Sequence, residues 1–144
     1  MSKLGSGLLV LIADDSVDNR DVYVMILESR GYRVEVASDG AEAIDKAVAL
    51  RPAIIILDLA MPVIDGWTAC RRLKDDPRTA AIPAIVLSAH VMKGEEERVL
   101  AAGCDAYLPK PCLPETLLAE IERHLARTDS TPAARTGTAE SRWD

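Results

Sequence analysis

Apolar residues along this chain fall into two alternating patterns. Apolar runs of strand length recur at Leu8–Ala13, Arg33–Ala37, Ala53–Leu57, Ala84–Ser88 and Ala106–Leu108. Continuous apolar runs of this length suit strands buried on both faces. Between them lie stretches with helical spacing. Val22, Met25 and Ile26 mark a helix from an N-cap at Ser16 to about Arg30, with Gly31 as its stop. Further helices are predicted over about Ala41–Leu50, about Gly66–Lys74 and about Lys93–Ala102, the last stopped by Gly103. A fifth starts near Pro114, a good first-turn residue, and lines Leu117, Leu118, Ile121 and Leu125 along one face. Strands alternating five times with helices argue for a parallel α/β sheet covered on both faces and joined by right-handed crossovers. Residues 8–126 would form this domain and residues 1–7 a short extension. Residues 127–144 lose all periodicity and read as a disordered tail.

Composition narrows the picture. The 144 residues suit one domain, and 49% hydrophobic residues with no Phe imply an aliphatic core. A net charge of −6 with few aromatics argues against a nucleic-acid partner, which would call for phosphate-neutralising and base-stacking side chains. No apolar run approaches a membrane span and no signal peptide is evident, so a cytoplasmic protein with no membrane partner is expected. Cys70, Cys104 and Cys112 form no CxxC pair, and His90 and His124 sit at no ligand spacing. Three reduced, packed thiols are expected.

The polar residues that interrupt the pattern carry the chemistry. The first apolar run ends in Asp14 and Asp15 and the third in Asp58, although a carboxylate is costly to desolvate. In an open α/β sheet, ligands bind outside the carboxyl ends of the strands, where strand order reverses. If the first and third strands are neighbours, the three acids converge. Two carboxylates about 4 Å apart repel by roughly 4 kcal/mol at an effective dielectric of 20. Such a cluster makes sense when something positive fills it. An acidic, oxygen-only cup suits Mg²⁺. Lys110, in "YLPKP", follows the fifth strand, and Ser88 ends the fourth in "AIVLSA". Acids, a hydroxyl and an ammonium at four strand ends suit phosphoryl transfer to an aspartate nucleophile.

Asp14-Asp15, Asp58 in "DLAMPVIDG", Ser88-Ala89 and Lys110-Pro111 together resemble the signature of two-component response-regulator receiver domains. The resemblance spans about residues 8–126. It implies a flavodoxin-like, doubly wound (βα)5 fold with strand order 2-1-3-4-5. It implies that Asp58 accepts a phosphoryl group from the phosphohistidine of a histidine kinase or histidine phosphotransfer protein. Asp14, Asp15, Asp58 and the Ala60 carbonyl would hold Mg²⁺; Ser88, Ala89 and Lys110 would hold the phosphoryl group. Ser88 and Tyr107 would act as the switch, altering a partner-binding face made by the fourth helix, fifth strand and fifth helix. A cis peptide at Lys110–Pro111 is also implied, as is self-catalysed phosphorylation and dephosphorylation without turnover of another substrate. Nothing after Ala126 reads as a DNA-binding or catalytic domain, so a single-domain regulator is expected. Two other classes fit these residues less well. An aspartyl-phosphate hydrolase of the haloacid-dehalogenase kind wants an acid two residues past the nucleophile, where Ala60 stands. A flavin carrier wants a hydroxyl-rich phosphate loop where Asp14 and Asp15 stand.

Overall fold

Each apolar run becomes a strand of one parallel sheet. In this computed structural model the described residues are 7–88, 97, 100, 101, 103–110 and 112–128. The strands are β1 (Leu9–Ala13), β2 (Arg33–Ala37), β3 (Ile54–Asp58), β4 (Ala84–Ser88) and β5 (Ala106–Pro109). The described helices are α1 (Val17–Ser29), α2 (Gly40–Leu50), α3 (Gly66–Asp75) and α4 (Pro114–Thr128). The strand order is β2-β1-β3-β4-β5, the flavodoxin-like order expected. Most of the anticipated fourth helix lies outside the described residues; of it, Glu97, Leu100 and Ala101 are described, and all three are helical. The helix at Pro114, fifth in the sequence reading, is therefore α4. It runs to Thr128, so helical structure extends two residues past the boundary set at 126.

Burial on both faces explains the unbroken runs. Leu11, Ala13, Ile55, Leu57 and Val86 point into one cluster, with Ala43 and Ala47 of α2 and Ala69, Cys70 and Leu73 of α3. Val10, Ile12, Ile54, Ile56, Ile85 and Leu87 point into the other, with Tyr23 and Leu27 of α1 and Leu117, Leu118, Ile121 and Leu125 of α4. Side chains alternate along a strand, so a two-sided core demands apolar residues at every position. The edge strands β2 and β5 are correspondingly less buried.

Local signals set the helix starts. Asp39 caps α2 by accepting from the Glu42 N–H at 2.8 Å, and the Glu42 carboxylate accepts from the N–H of the preceding residue, Ser38, at 2.8 Å. Asp65 caps α3 through the Thr68 N–H at 2.9 Å. Gly66, the first residue of α3, lies where an added Cβ would sit 2.7 Å from the Asp58 carbonyl oxygen and from Leu59 Cα. Only glycine lets α3 start this close to the end of β3.

One expectation is overturned. The cysteines are not three free thiols: Cys70 and Cys104 form a disulfide, and Cys112 alone is free. They lie 34 residues apart in sequence, but the middle of α3 packs beside the start of β5, with the two Cα atoms 6.2 Å apart.

Candidate functional site

The register of the sheet builds the acidic cup. Ala13 of β1 pairs with Leu57 of β3, so Asp14 and Asp58 follow on adjacent strands. Asp14, Asp15 and Asp58 each offer a carboxylate oxygen, and these lie within 4.8 Å of one another. Asp14 is 1% exposed and Asp58 6% exposed, whereas Asp15 is open to solvent. Asp58 is the last residue of β3 itself, not the first residue beyond it.

Lys110 supplies the positive charge from the carboxyl end of β5. Its Nζ donates to Asp14 Oδ2 at 3.1 Å and lies 3.4 Å from Asp58 Oδ2. The Lys110 N–H donates to the Ser88 carbonyl at 2.7 Å, which fixes the lysine to the end of β4. Burial alone would lower the Lys110 pKa, but the charge of Asp58 and the hydrogen bond to Asp14 outweigh it, and the pKa is raised. The ammonium is thus held firmly charged. Burial pushes the Asp58 carboxyl above its usual range, and the negative charge of Asp14 pushes it further. Lys110 and the Ala60 N–H, which donates to Asp58 Oδ1 at 3.3 Å, pull it down without cancelling the rise. Asp14 is oriented by the Ser16 N–H, donated to its Oδ1 at 2.8 Å.

Ser88 is 2% exposed and follows Leu87, the register partner of Asp58. Tyr107 pairs with Val86 and packs, half-buried, against the cluster that contains Leu57 and Val86. Four strand ends therefore bring Asp14, Asp58, Ser88 and Lys110 together, with Asp15 at the rim. Ala89 and Pro111 lie outside the described residues, as do His90, Val91 and Met92; the implied cis peptide falls there as well.

Two residues near the cup escaped the sequence reading. Arg20 donates from one terminal nitrogen to the Asp14 carbonyl and to the Ser38 hydroxyl, both at 3.0 Å, tying α1 to the ends of β1 and β2. Tyr23 donates its hydroxyl to the Cys112 carbonyl at 3.0 Å, joining α1 to the segment after Lys110. Its pKa is pushed up to about 12, first by burial and then by the charges of Cys112, Asp14 and Asp58. Both lie on a helix whose periodicity marks core and surface alone, so nothing in the pattern singles them out.

The donor set fits a hard divalent cation: three carboxylates, no sulfur and no imidazole. Among the described residues, no helix is long and apolar enough to cross a membrane.

Comparison with known proteins agrees with this geometry. The family described as "Response regulator receiver domain" matches over residues 10–122. The chain is 41% identical over 125 residues to the DNA-binding dual master transcriptional regulator RpaA of Synechocystis sp., covering 87% of this chain and 52% of RpaA. It thus spans about half the length of that relative. It is 34% identical over 116 residues to the polar-differentiation response regulator DivK of Brucella anthropi, covering 81% of this chain and 94% of DivK. Among solved structures, the receiver domain of sensor histidine kinase PA1611 from Pseudomonas aeruginosa, with a magnesium ion coordinated in its active site cleft, superimposes with a TM-score of 0.72 at 35% identity. That superposition covers 84% of this chain and 96% of the other. Chemotaxis protein CheY4 of Vibrio cholerae gives 0.76 at 33% identity, covering 81% and 98%. A sheet order, an acidic cup and sequence relatives that agree along most of the chain lead to one assignment: this protein belongs to the response regulator receiver domain family.

Proposed function

We propose that this receiver domain is a phosphorylation-controlled switch of two-component signalling with Asp58 as its phosphoacceptor, and the observation that carries this is the Lys110 ammonium set between Asp14 and Asp58, 3.1 and 3.4 Å away. A carboxylate oxygen of Asp58 attacks phosphorus. The P–N bond to the donor imidazole of a histidine kinase or phosphotransfer protein breaks, and its electron pair stays with the imidazole, which takes up a proton. Asp58 becomes an acyl phosphate. Lys110 already holds the nucleophile and is placed to pair with a phosphoryl oxygen as a compact charge. Ser88 and the Ala89 backbone would bind the remaining oxygens.

Asp14, Asp15, Asp58 and the Ala60 carbonyl are the residues that would hold Mg²⁺. When bound, the ion neutralises charge on phosphoryl oxygens as it develops. Asp15, exposed at the rim, is the acid best placed to meet an arriving ion. Water later hydrolyses the acyl phosphate, so the protein catalyses its own phosphorylation and dephosphorylation and turns over no other substrate. A donor fed by ATP places this exchange in the cytoplasm.

The new dianion offers Ser88 a charge-assisted hydrogen bond. Ser88 and Val86 share a face of β4, and Tyr107 pairs with Val86 on the neighbouring strand. Movement of Ser88 is therefore felt where Tyr107 packs, and the readout is a partner-binding face around β5 and α4 that includes Tyr107, Pro109 and the exposed Leu113. Phosphotransfer from a panel of labelled histidine kinases tests the reading. Label should move to the wild-type chain from at least one kinase and never to Asp58→Asn; transfer to the Asn variant refutes it.

A further inference from the structure

Two cysteines play no part in the acidic site, yet they are joined. Cys70 lies within α3 and is 0% exposed; Cys104 lies just before β5 and is 4% exposed. One turn further along α3, Lys74 Nζ donates to Asp105 Oδ2 at 3.0 Å and to the Ile82 carbonyl at 2.7 Å. Asp105 Oδ2 also accepts from the Ala84 N–H at 2.8 Å, and the Asp105 N–H donates to the Ala84 carbonyl at 2.8 Å. The segments bridged by sulfur are therefore also held by an ion pair and backbone bonds that do not need the sulfurs. Those ties do not depend on the redox state of the cysteines.

Location gives the bridge a consequence. Cys104 precedes Tyr107 by three residues, and both pack in the same apolar cluster as Cys70. β5 is an edge strand, bonded to β4 on one side only, so ties at its start govern its freedom to repack. Disulfides of cytoplasmic proteins are rare, and those that form are usually transient and redox-sensing.

We propose that Cys70 and Cys104 are a reversible thiol–disulfide modification site that gates the switch. Closed, the bridge adds a covalent tie between α3 and the start of β5 and restrains the repacking of Tyr107; open, only the ion pair and hydrogen bonds of Asp105 hold that end, and Tyr107 repacks more freely. The gating rests on the roles of Asp58 and Tyr107 proposed above. The oxidant is a small-molecule disulfide such as oxidised glutathione. Cys104 follows Gly103, whose φ of 100° makes the turn, and is the less buried sulfur. At 4% exposure it meets the oxidant when the edge strand opens locally; its thiolate then attacks, releasing one small thiol and leaving a mixed disulfide. The Cys70 thiolate then attacks the Cys104 sulfur and expels the second small thiol. Two protein thiols are oxidised, one small disulfide is reduced to two thiols, and the two protons lost by the cysteines go to the released thiolates.

The test uses the full chain carrying Cys112→Ser, so that only this pair can react. The protein is equilibrated in glutathione buffers of graded composition, and free thiols are counted by maleimide tagging in denaturant. Hydrogen exchange is then measured with and without beryllofluoride and Mg²⁺ in the reduced and the oxidised form. The two thiols should disappear together, and the oxidised form should melt about 10 °C higher because its unfolded chain is closed into a loop. Beryllofluoride should change protection of Ala106–Pro109 in the reduced form, and that change should be lost in the oxidised form. A Cys104→Ser chain should respond like the reduced form in every buffer. Thiols that stay fully taggable in the most oxidising buffer overturn the site. Equal responses of the two redox forms overturn the gating. A reduced form that binds beryllofluoride without any response at Ala106–Pro109 overturns the Tyr107 switch itself, and one that binds none overturns the Asp58 reading.

Discussion

Replacing Asp58 with Asn is expected to stabilise the metal-free protein while removing its chemistry. Asp58 is 6% exposed, and its carboxylate lies within 4.8 Å of that of Asp14. At an effective dielectric of 20 this repulsion is worth about 3.5 kcal/mol. Lys110, at 3.4 Å, offsets it by about 5 kcal/mol on the same scale. Burying the carboxylate costs several kcal/mol more, which tips the balance against the charge, in line with the raised pKa of Asp58. Asn removes the charge, and Lys110 keeps its hydrogen bond to Asp14. Asp58→Asn should therefore gain about 1–2 kcal/mol at pH 7, seen as a rise of about 4–8 °C in Tm. The gain should depend on pH with a defined sign. Because the folded pKa lies above the ordinary value of 3.8, the wild type loses stability as pH rises through the interval between the two. Below that interval Asp58 is protonated in both states and the advantage of Asn should vanish. Urea denaturation in EDTA at pH 7 and again near pH 3.5 measures both arms. An Asn variant equal to or less stable than the wild type at pH 7 would show that Lys110 fully compensates the charge.

Further outcomes follow from the same geometry. Mg²⁺ at ten times its Kd should stabilise the wild type by about 1.4 kcal/mol, and thermal denaturation should show most of this shift lost in Asp15→Asn. Lys110→Arg keeps the charge but puts a planar fork into a slot where the lysine side chain is only 13% exposed. This variant should still accept some phosphoryl from acetyl phosphate but lose the hydrogen-exchange response at Ala106–Pro109; a normal response would remove Lys110 from the switch. Val63, 78% exposed in the loop after β3, has a φ of 69° that a β-branched residue adopts at a cost. Val63→Gly should raise stability by about 1 kcal/mol in urea denaturation, the relief of strain being partly offset by the entropy of glycine.

Much of this was legible in the chain. Runs such as "AIIIL" and "AIVLS" read as strands because a two-sided core needs apolar residues at consecutive positions. The acids stood out because they break those runs at one end. Strand order was not readable from periodicity; it came with the resemblance, since hydrophobic pattern defines elements and not their neighbours. Lys74 illustrates what remains hidden. In the last turn of α3 nothing in the pattern marks it, yet it bonds two carbonyls and Asp105 across to β5. The Cys70–Cys104 bridge is hidden for the same reason: its two elements meet only through the tertiary packing of α3 beside the start of β5, and a 34-residue spacing carries no motif.

Mass spectrometry of the protein incubated with acetyl phosphate and Mg²⁺ tests the central claim most directly. The wild type should gain one phosphoryl group, removed by hydroxylamine as an acyl phosphate is, and peptide mapping should place it on Asp58. The Asp58→Asn chain should gain none. A hydroxylamine-labile phosphoryl group that persists in Asp58→Asn, or one mapped to Asp14 or Asp15, would contradict the account.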